Sequence, residues 1–185
     1  ISNEKKIKYT NILNNNPHIS KSLKNNLIYF KNFIHIHYKH NIFKKNGWKL
    51  HDFSDLINKI SDKGHNVFFS SDYGNTEYNN YFLSNFSYIN FDNDITAINS
   101  KNVVYLHNIK INDLFKVISL SNQVLSPHGT MTVMASYLNK KVVDIFDITI
   151  RINSFREYKP SNKNYKFLIL KNSSDKIKNK IIDFL

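Results

Sequence analysis

The sequence predicts an α/β fold, with a mostly parallel β-sheet covered by helices on both faces. Three observations carry that expectation. Short apolar runs alternate along the chain with stretches whose apolar residues recur at helical spacing. Several runs are apolar at successive positions, as in strands buried on both faces; Val67-Phe68-Phe69, Val103-Val104-Tyr105-Leu106 and Val142-Val143 are examples. A turn-forming stretch, Ser126-Pro127-His128-Gly129, links one such run to a helical stretch.

Residues 1–31 are polar and rich in Lys and Asn, with Pro17 set against a helix. Their apolar clusters are Ile12-Leu13 and Leu27–Phe30. They predict a connecting arm with one or two short helices, or the tail of a preceding domain. Residues 32–185 then predict one domain. Phe33–Tyr38 is its first strand, followed by a polar loop over Lys39–Gly47. Trp48 and Leu50 resume the apolar pattern as core residues. Phe53, Leu56, Ile57 and Ile60 fall on one helix face, and Gly64 sits where that helix would end.

Val67–Ser70 is a buried strand leading into the polar loop Ser71–Asn75. Glu77–Phe86 predicts a helix with Tyr78, Tyr81 and Phe82 on one side, and Tyr88–Phe91 a short strand. Asp92–Asn102 reads as a loop of weak helical character. Val103–Leu106 is a strand, and Ile111, Leu114, Phe115, Ile118 and Leu120 mark an amphipathic helix. Val124-Leu125 closes the next strand, before the turn Ser126–Gly129. Thr130 is suited to cap the following helix, which carries Met131, Met134, Ala135 and Leu138. Val142–Phe146 is a strand. A polar loop with Arg151, Arg156 and Pro160 leads to a last strand, Tyr165–Leu170, and a closing helix with Ile177, Ile181, Ile182 and Leu185.

Such an alternation gives a Rossmann-like sheet with right-handed crossovers, whose binding sites lie beyond the carboxyl ends of the strands. Three loops therefore meet at one edge: Lys39–Gly47, Ser70–Asn75 and Ser126–Thr130. The last feeds a helix N-terminus, where free N–H groups and the helix dipole favour an anion, most often a phosphate.

Composition narrows the function. The chain has 185 residues and no Cys, so it has neither disulfides nor thiolate metal sites. No apolar run approaches the roughly 18 residues that span a bilayer. The formal charge is +12, from 26 Lys+Arg against 14 Asp+Glu. Nearly all of it is Lys, with Arg only at Arg151 and Arg156. A solvated lysine surface accounts for this, and so does attraction to an anionic nucleotide or membrane surface. The scarcity of Arg argues against a nucleic-acid partner.

Gly129 allows a ligand close to the backbone. Thr130 and Met131 could present N–H groups, and the hydroxyls of Ser126, Thr130 and Thr132 could add bonds; a plain tight turn is the alternative. The stretch is neither a Walker loop nor a dinucleotide fingerprint. Lys44 and Lys45 could neutralise a pyrophosphate or be a solvated pair. His35 and His37 share a strand face, but without Cys and with few acidic neighbours no metal is expected there. His37 could contact a substrate. Ser70 and Asp72 end a strand at the same edge, and Glu77 opens the next helix; a carboxylate there could hold ribose hydroxyls or serve the helix dipole.

The order of these features resembles the carboxyl-terminal half of the heptosyltransferases, the family-nine glycosyltransferases. The residues that carry the resemblance are IHIHYKHNIFKKNGWKLHDFSDLINKI, NVFFSSDYGNTE and VVYLHNIKINDLFKVISLSNQVLSPHGTMTVMASYLNKKVVDIFD, over roughly 32–148. The resemblance implies a GT-B fold with this chain as its donor-binding half. It implies transfer of a sugar from a nucleotide diphosphate sugar to a glycan or lipid-linked acceptor, without a cofactor. Lys44 or Lys45 would match the phosphate-contacting Lys before the Trp. Gly129, Thr130 and Met131 would match the pyrophosphate cradle. The residues themselves add Ser70, Glu77 and His128 to the expected substrate-binding set. The family's acidic residue two before the glycine and its His three after it are here Pro127 and Thr132, while His128 precedes the glycine. The alternative is a catalytically degenerate domain of this architecture that binds a nucleotide or a partner. The expected setting is cell-envelope polysaccharide biosynthesis, in the cytoplasm, with peripheral contact to an anionic membrane.

Overall fold

A computed structural model describes residues 19–26, 31–74, 76–99, 102–147, 163–171 and 174–185. The expectations for Ile12-Leu13, Pro17, Leu27–Phe30, Arg151, Arg156 and Pro160 lie outside these residues. The described elements are α1 (Lys21–Asn26), β1 (Phe33–Tyr38), α2 (His40–Lys45), α3 (Leu50–Asp62), β2 (Asn66–Ser71), α4 (Glu77–Asn85), β3 (Ser87–Asn90), β4 (Ile95–Ala97), β5 (Val103–His107), α5 (Ile111–Leu120), β6 (Gln123–Pro127), α6 (Thr130–Tyr137), β7 (Lys141–Phe146), β8 (Tyr165–Ile169) and α7 (Asp175–Ile182).

The strands form one sheet in the order β4-β3-β5-β2-β1-β6-β7-β8. Among the described strands only the β3–β4 pair is antiparallel; the other pairs are parallel. β1 is central and buried along its whole length. Its register places Ile36 beside Phe69 on β2 and beside Leu125 on β6.

Apolar residues on the two sheet faces build two clusters. On one face Tyr38, Phe43, Phe53, Phe69, Phe82 and Tyr105 interlock. Tyr38 meets Phe53 at 4.6 Å between ring centroids, Phe69 meets Phe82 at 5.2 Å and Tyr105 at 4.9 Å. α3 contributes Phe53, Leu56, Ile57 and Ile60, the stripe expected from their spacing. Asp52 accepts a hydrogen bond from the Lys49 N–H at the start of α3, and Gly64 (φ +89°) follows its end. Trp48 is buried, its Nε1 donating to the Lys171 carbonyl at 2.8 Å. The other face is covered by α5 and α6 with Val117, Ile118, Met131, Met134 and Ala135. Leu23 of α1 joins this second cluster, and the Ser20 N–H donates to Asp113 at 2.9 Å.

The structure corrects four local expectations. The Lys39–Gly47 loop holds α2, because Phe43 is drawn into the aromatic cluster. Over the described residues 92–99 the expected weak helix is absent, and Ile95–Ala97 folds back as β4, pairing with β3. Ser126 and Pro127 belong to β6, which leaves only His128-Gly129 as the turn. The N-cap of α6 is Gly129, with Thr130 already helical. Pro127 is tolerated in the strand because the pairing of β6 with β1 ends at Leu125 and the next bond to β7 comes from the His128 N–H, so its missing N–H breaks no ladder.

We expect Phe53→Ala to cost about 3–5 kcal/mol in urea unfolding, since the ring is fully buried and touches several others. Ile95→Ser, on the exposed β4, should stay within about 0.5 kcal/mol of the parent.

Candidate functional site

The chain runs from β1 to β2 on one side and returns through α5 to β6 on the other. β1 and β6 are therefore neighbours whose following segments leave in different directions, which opens a crevice at their carboxyl ends. Lys39 follows β1 directly, and His128-Gly129 follows β6. A Cβ placed on Gly129 would lie 3.1 Å from Lys39 Nζ. The ammonium thus rests against the glycine backbone. Gly129 has φ +153°, a conformation that other residues rarely adopt. The N–H groups of Thr130 and Met131 meet no acceptor among the described residues, and neither does Lys39 form an ion pair among them. A lysine ammonium, a bare glycine and a helix N-terminus therefore converge.

The expected site residues divide. His128, Gly129 and Thr130 lie at this crevice. The Met131 side chain is buried in the second cluster, so only its backbone faces the turn. The Ser126 hydroxyl donates to the Pro127 carbonyl at 2.9 Å, and Thr132 Oγ1 donates to the Gly129 carbonyl at 2.9 Å and accepts from its N–H at 3.3 Å. Both hydroxyls serve the turn itself. Lys44 is exposed on α2, while Lys45 pairs with Asp147 at 2.8 Å. Both lie in the last turn of α2, where their charge complements the helix dipole. Glu77 is exposed in the first turn of α4, at the positive end of that helix.

Ser70 is fully buried between two histidines. His37 Nδ1 lies 2.9 Å and His35 Nε2 3.2 Å from its hydroxyl, and His37 Nε2 lies 3.7 Å from Asp72. Both rings are therefore turned onto Ser70. No group of three or more His, Asp or Glu side chains among the described residues is arranged to hold a metal ion. No described helix is long and apolar enough to cross a membrane.

Two residues were not singled out from the sequence. Lys39 was hidden in the assumed loop; its signal was its place immediately after a strand at the carboxyl edge. The other is Asp144, fully buried on β7. Its Oδ2 accepts from His128 Nδ1 at 2.7 Å and from the Tyr165 hydroxyl at 2.6 Å. The His128 ring stacks on Phe146 at 4.5 Å, and its backbone N–H donates to the Ile145 carbonyl. Burial pushes the Asp144 carboxyl up, opposed by the hydrogen bonds from Tyr165 and His128. Burial and the neighbouring Asp144 carboxylate also push the Tyr165 phenol up.

A mostly parallel sheet with this switch point defines the fold: a Rossmann-like α/β architecture of the GT-B type. The chain is similar in structure to E. coli ADP-heptose lps heptosyltransferase II, with a TM-score of 0.59 and 10% identity over 100% of this chain and 50% of that one. It is similar to E. coli heptosyltransferase WaaC with ADP, with a TM-score of 0.59 and 11% identity over 96% and 48%. It is also similar to Methanocaldococcus jannaschii UDP-GlcNAc 2-epimerase in complex with UDP-GlcNAc and UDP, with a TM-score of 0.60 and 11% identity over 97% and 43%. The chain spans about half the length of these proteins. No protein-family model and no curated protein matches it by sequence. The heptosyltransferase resemblance read from motif order is thus borne out at the level of the fold.

His35 sets a pH dependence of stability. Burial, and then the charge of nearby His37, lower its pKa from 6.5 to about 3. Below its unfolded pKa the unfolded chain binds a proton that the folded chain refuses, so stability present above about pH 6.5 is lost as the pH falls. At pH 5 this amounts to roughly 2 kcal/mol. The urea midpoint should fall between pH 7 and pH 5, and His35→Gln should flatten that slope.

Proposed function

We propose that this chain is the donor-binding half of a glycosyltransferase and holds the diphosphate of a nucleotide sugar in the crevice between β1 and β6. The observation that carries this reading is the contact of Lys39 with Gly129 beside the unpartnered N–H groups of Thr130 and Met131. A diphosphate would place its oxygens on those N–H groups, with Lys39 as the neutralising cation. Two of the similar structures hold a nucleotide, ADP in one and UDP with UDP-GlcNAc in the other, which supports a nucleotide ligand for this fold.

The reaction is displacement at the anomeric carbon. A hydroxyl of a glycan or lipid-linked acceptor forms the new C–O bond, and the bond to the diphosphate breaks with its electron pair. Lys39 and the helix N-terminus stabilise the charge that develops on the leaving diphosphate, without a metal or cofactor. The acceptor and the base that takes its proton would belong to a second half. The lysine-rich surface suits peripheral contact with an anionic membrane in the cytoplasm. The alternative, a nucleotide-binding module without turnover, is favoured by the engagement of Ser126 and Thr132 in the turn instead of in a ligand.

Isothermal titration against ADP, GDP, UDP and their sugars tests the site. One base should bind, Lys39→Ala should weaken it about 10- to 100-fold, and Lys44→Ala should leave it within about twofold. Equal affinity in the parent and Lys39→Ala would sink the assignment. Sugar transfer in the presence of an acceptor-binding half would exclude the module reading.

A further inference from the structure

We propose that the groove between β8 and α7 docks the chain on an anionic phospholipid bilayer. This gives the peripheral contact of the proposed transferase a definite surface, and it rests on that reading for its purpose.

β8 is the outermost described strand at its end of the sheet. Phe167 and Ile169 alternate along it, so their side chains leave the same sheet face, and each is 43% exposed. The other large exposed apolar residues, Tyr73, Ile95, Ile111 and Val133, stand on separate segments. α7 carries two kinds of lysine. Lys178 turns inward, to Asp52 and Asp55 of α3 at 3.4 and 2.6 Å. Lys176 and Lys180 share the outer helix face at i and i+4, are exposed, and form no ion pair among the described residues. They line one groove with Phe167, Ile169 and Lys171, the last of which lies just beyond β8. Lys166 and Lys180 also lie over the Phe184 ring, at 5.1 and 6.0 Å.

The groove is open, with a volume of about 1410 Å³, above the roughly 300–1,000 Å³ of a small-molecule pocket. Its described lining holds three lysines against one carboxylate, Asp183. An apolar strip flanked by lysines on flexible stems suits a bilayer. The apolar side chains enter the boundary between headgroups and acyl chains, and the ammonium groups stay with the lipid phosphates. A protein partner selects differently, since lysine is depleted in protein interfaces while Arg, Tyr and Trp are enriched. None of those three types lines the described groove.

The position fits the chemistry as well. β8 stands two strands from β6, about 10 Å across the sheet. A bilayer on this edge lies beside the crevice, where a lipid-linked acceptor would present its hydroxyl.

The experiment is co-sedimentation of the full chain with vesicles, without nucleotide. Phosphatidylcholine vesicles are compared with vesicles in which about a third of the lipid is phosphatidylglycerol. The parent should bind the anionic vesicles at least about tenfold more tightly, and less so as salt rises. Lys176→Glu/Lys180→Glu should lower that affinity at least about 30-fold, about fivefold for each lysine removed. Lys21→Glu/Lys24→Glu makes the same change of charge at exposed positions of α1, which packs by β3 and β4 at the opposite end of the sheet. It should stay within about threefold of the parent. Phe167→Ser/Ile169→Ser keeps every charge and should lower the affinity about tenfold. Equal binding to the two kinds of vesicle, equal loss in the two lysine pairs, or full affinity in Phe167→Ser/Ile169→Ser overturns the proposal. A parent that binds neither vesicle also overturns it and leaves the groove to a protein partner. Nucleotide affinity is measured separately, without vesicles, so either site can fail and leave the other standing.

Discussion

The parallel pairing of β1 with both β2 and β6 is the constraint on which the rest depends. β1 is buried on both faces and bonded on both edges, so nothing about its position can relax. The chain leaves it for β2 under one set of helices and returns to its other edge under another. The crevice follows from that topology and not from any side chain. Lys39 and Gly129 meet there because each is the first group beyond its own strand, or nearly so. The aromatic cluster on one face and the α5–α6 cluster on the other hold the strands in register, and with them the distance between the ammonium and the turn.

One sheet face carries a polar layer beneath this crevice. His35, His37, Ser70, Ser126, Thr132 and Asp144 are all buried in a region that packing would fill with aliphatic groups. Burial of such groups is tolerated only when they bond to one another, and most of them do. Each bond also removes a rotamer. Ser70 bridges two histidines, Thr132 closes the Gly129 turn, and Asp144 gathers Tyr165 and His128. The layer costs stability, visible in the depressed basicity of His35, and in return fixes the turn in a water-poor setting where charge interactions are strong.

Much of the fold was legible because its strands are apolar at successive positions and its helices carry stripes. The pattern of Phe53, Leu56, Ile57 and Ile60 or of Val103–Leu106 admits few other structures. The failures have physical causes. α2 and β4 are short and polar, and tertiary contacts decide them: Phe43 in the aromatic cluster, β4 against β3. The sequence shows that three loops follow strands at one sheet edge, but not which side chains meet there. Lys44 and Lys45 look like a phosphate pair in sequence. Once α2 forms they fall at its end, and Lys39 is left at the strand terminus. Asp144 could not be found, because its partners stand 16 and 21 residues away in the chain and meet it only through sheet pairing.

The departures from the heptosyltransferase motif take on meaning in this geometry. A turn built from backbone N–H groups and one glycine leaves little trace in sequence, whereas the fold is shared at 10% identity. The position three after the glycine, where the family carries a His, holds Thr132 here, and its hydroxyl closes the turn on Gly129. An imidazole is still present at the edge, but it now comes from the residue before the glycine and is anchored through Asp144 to the neighbouring strand. A side chain that reaches a ligand from the helix could move with the first turn of that helix. One at the strand end, stacked on Phe146 and tied to a buried carboxylate, is set by the sheet. The imidazole is therefore positioned by the pairing of β6, β7 and β8 and not by the first turn of α6.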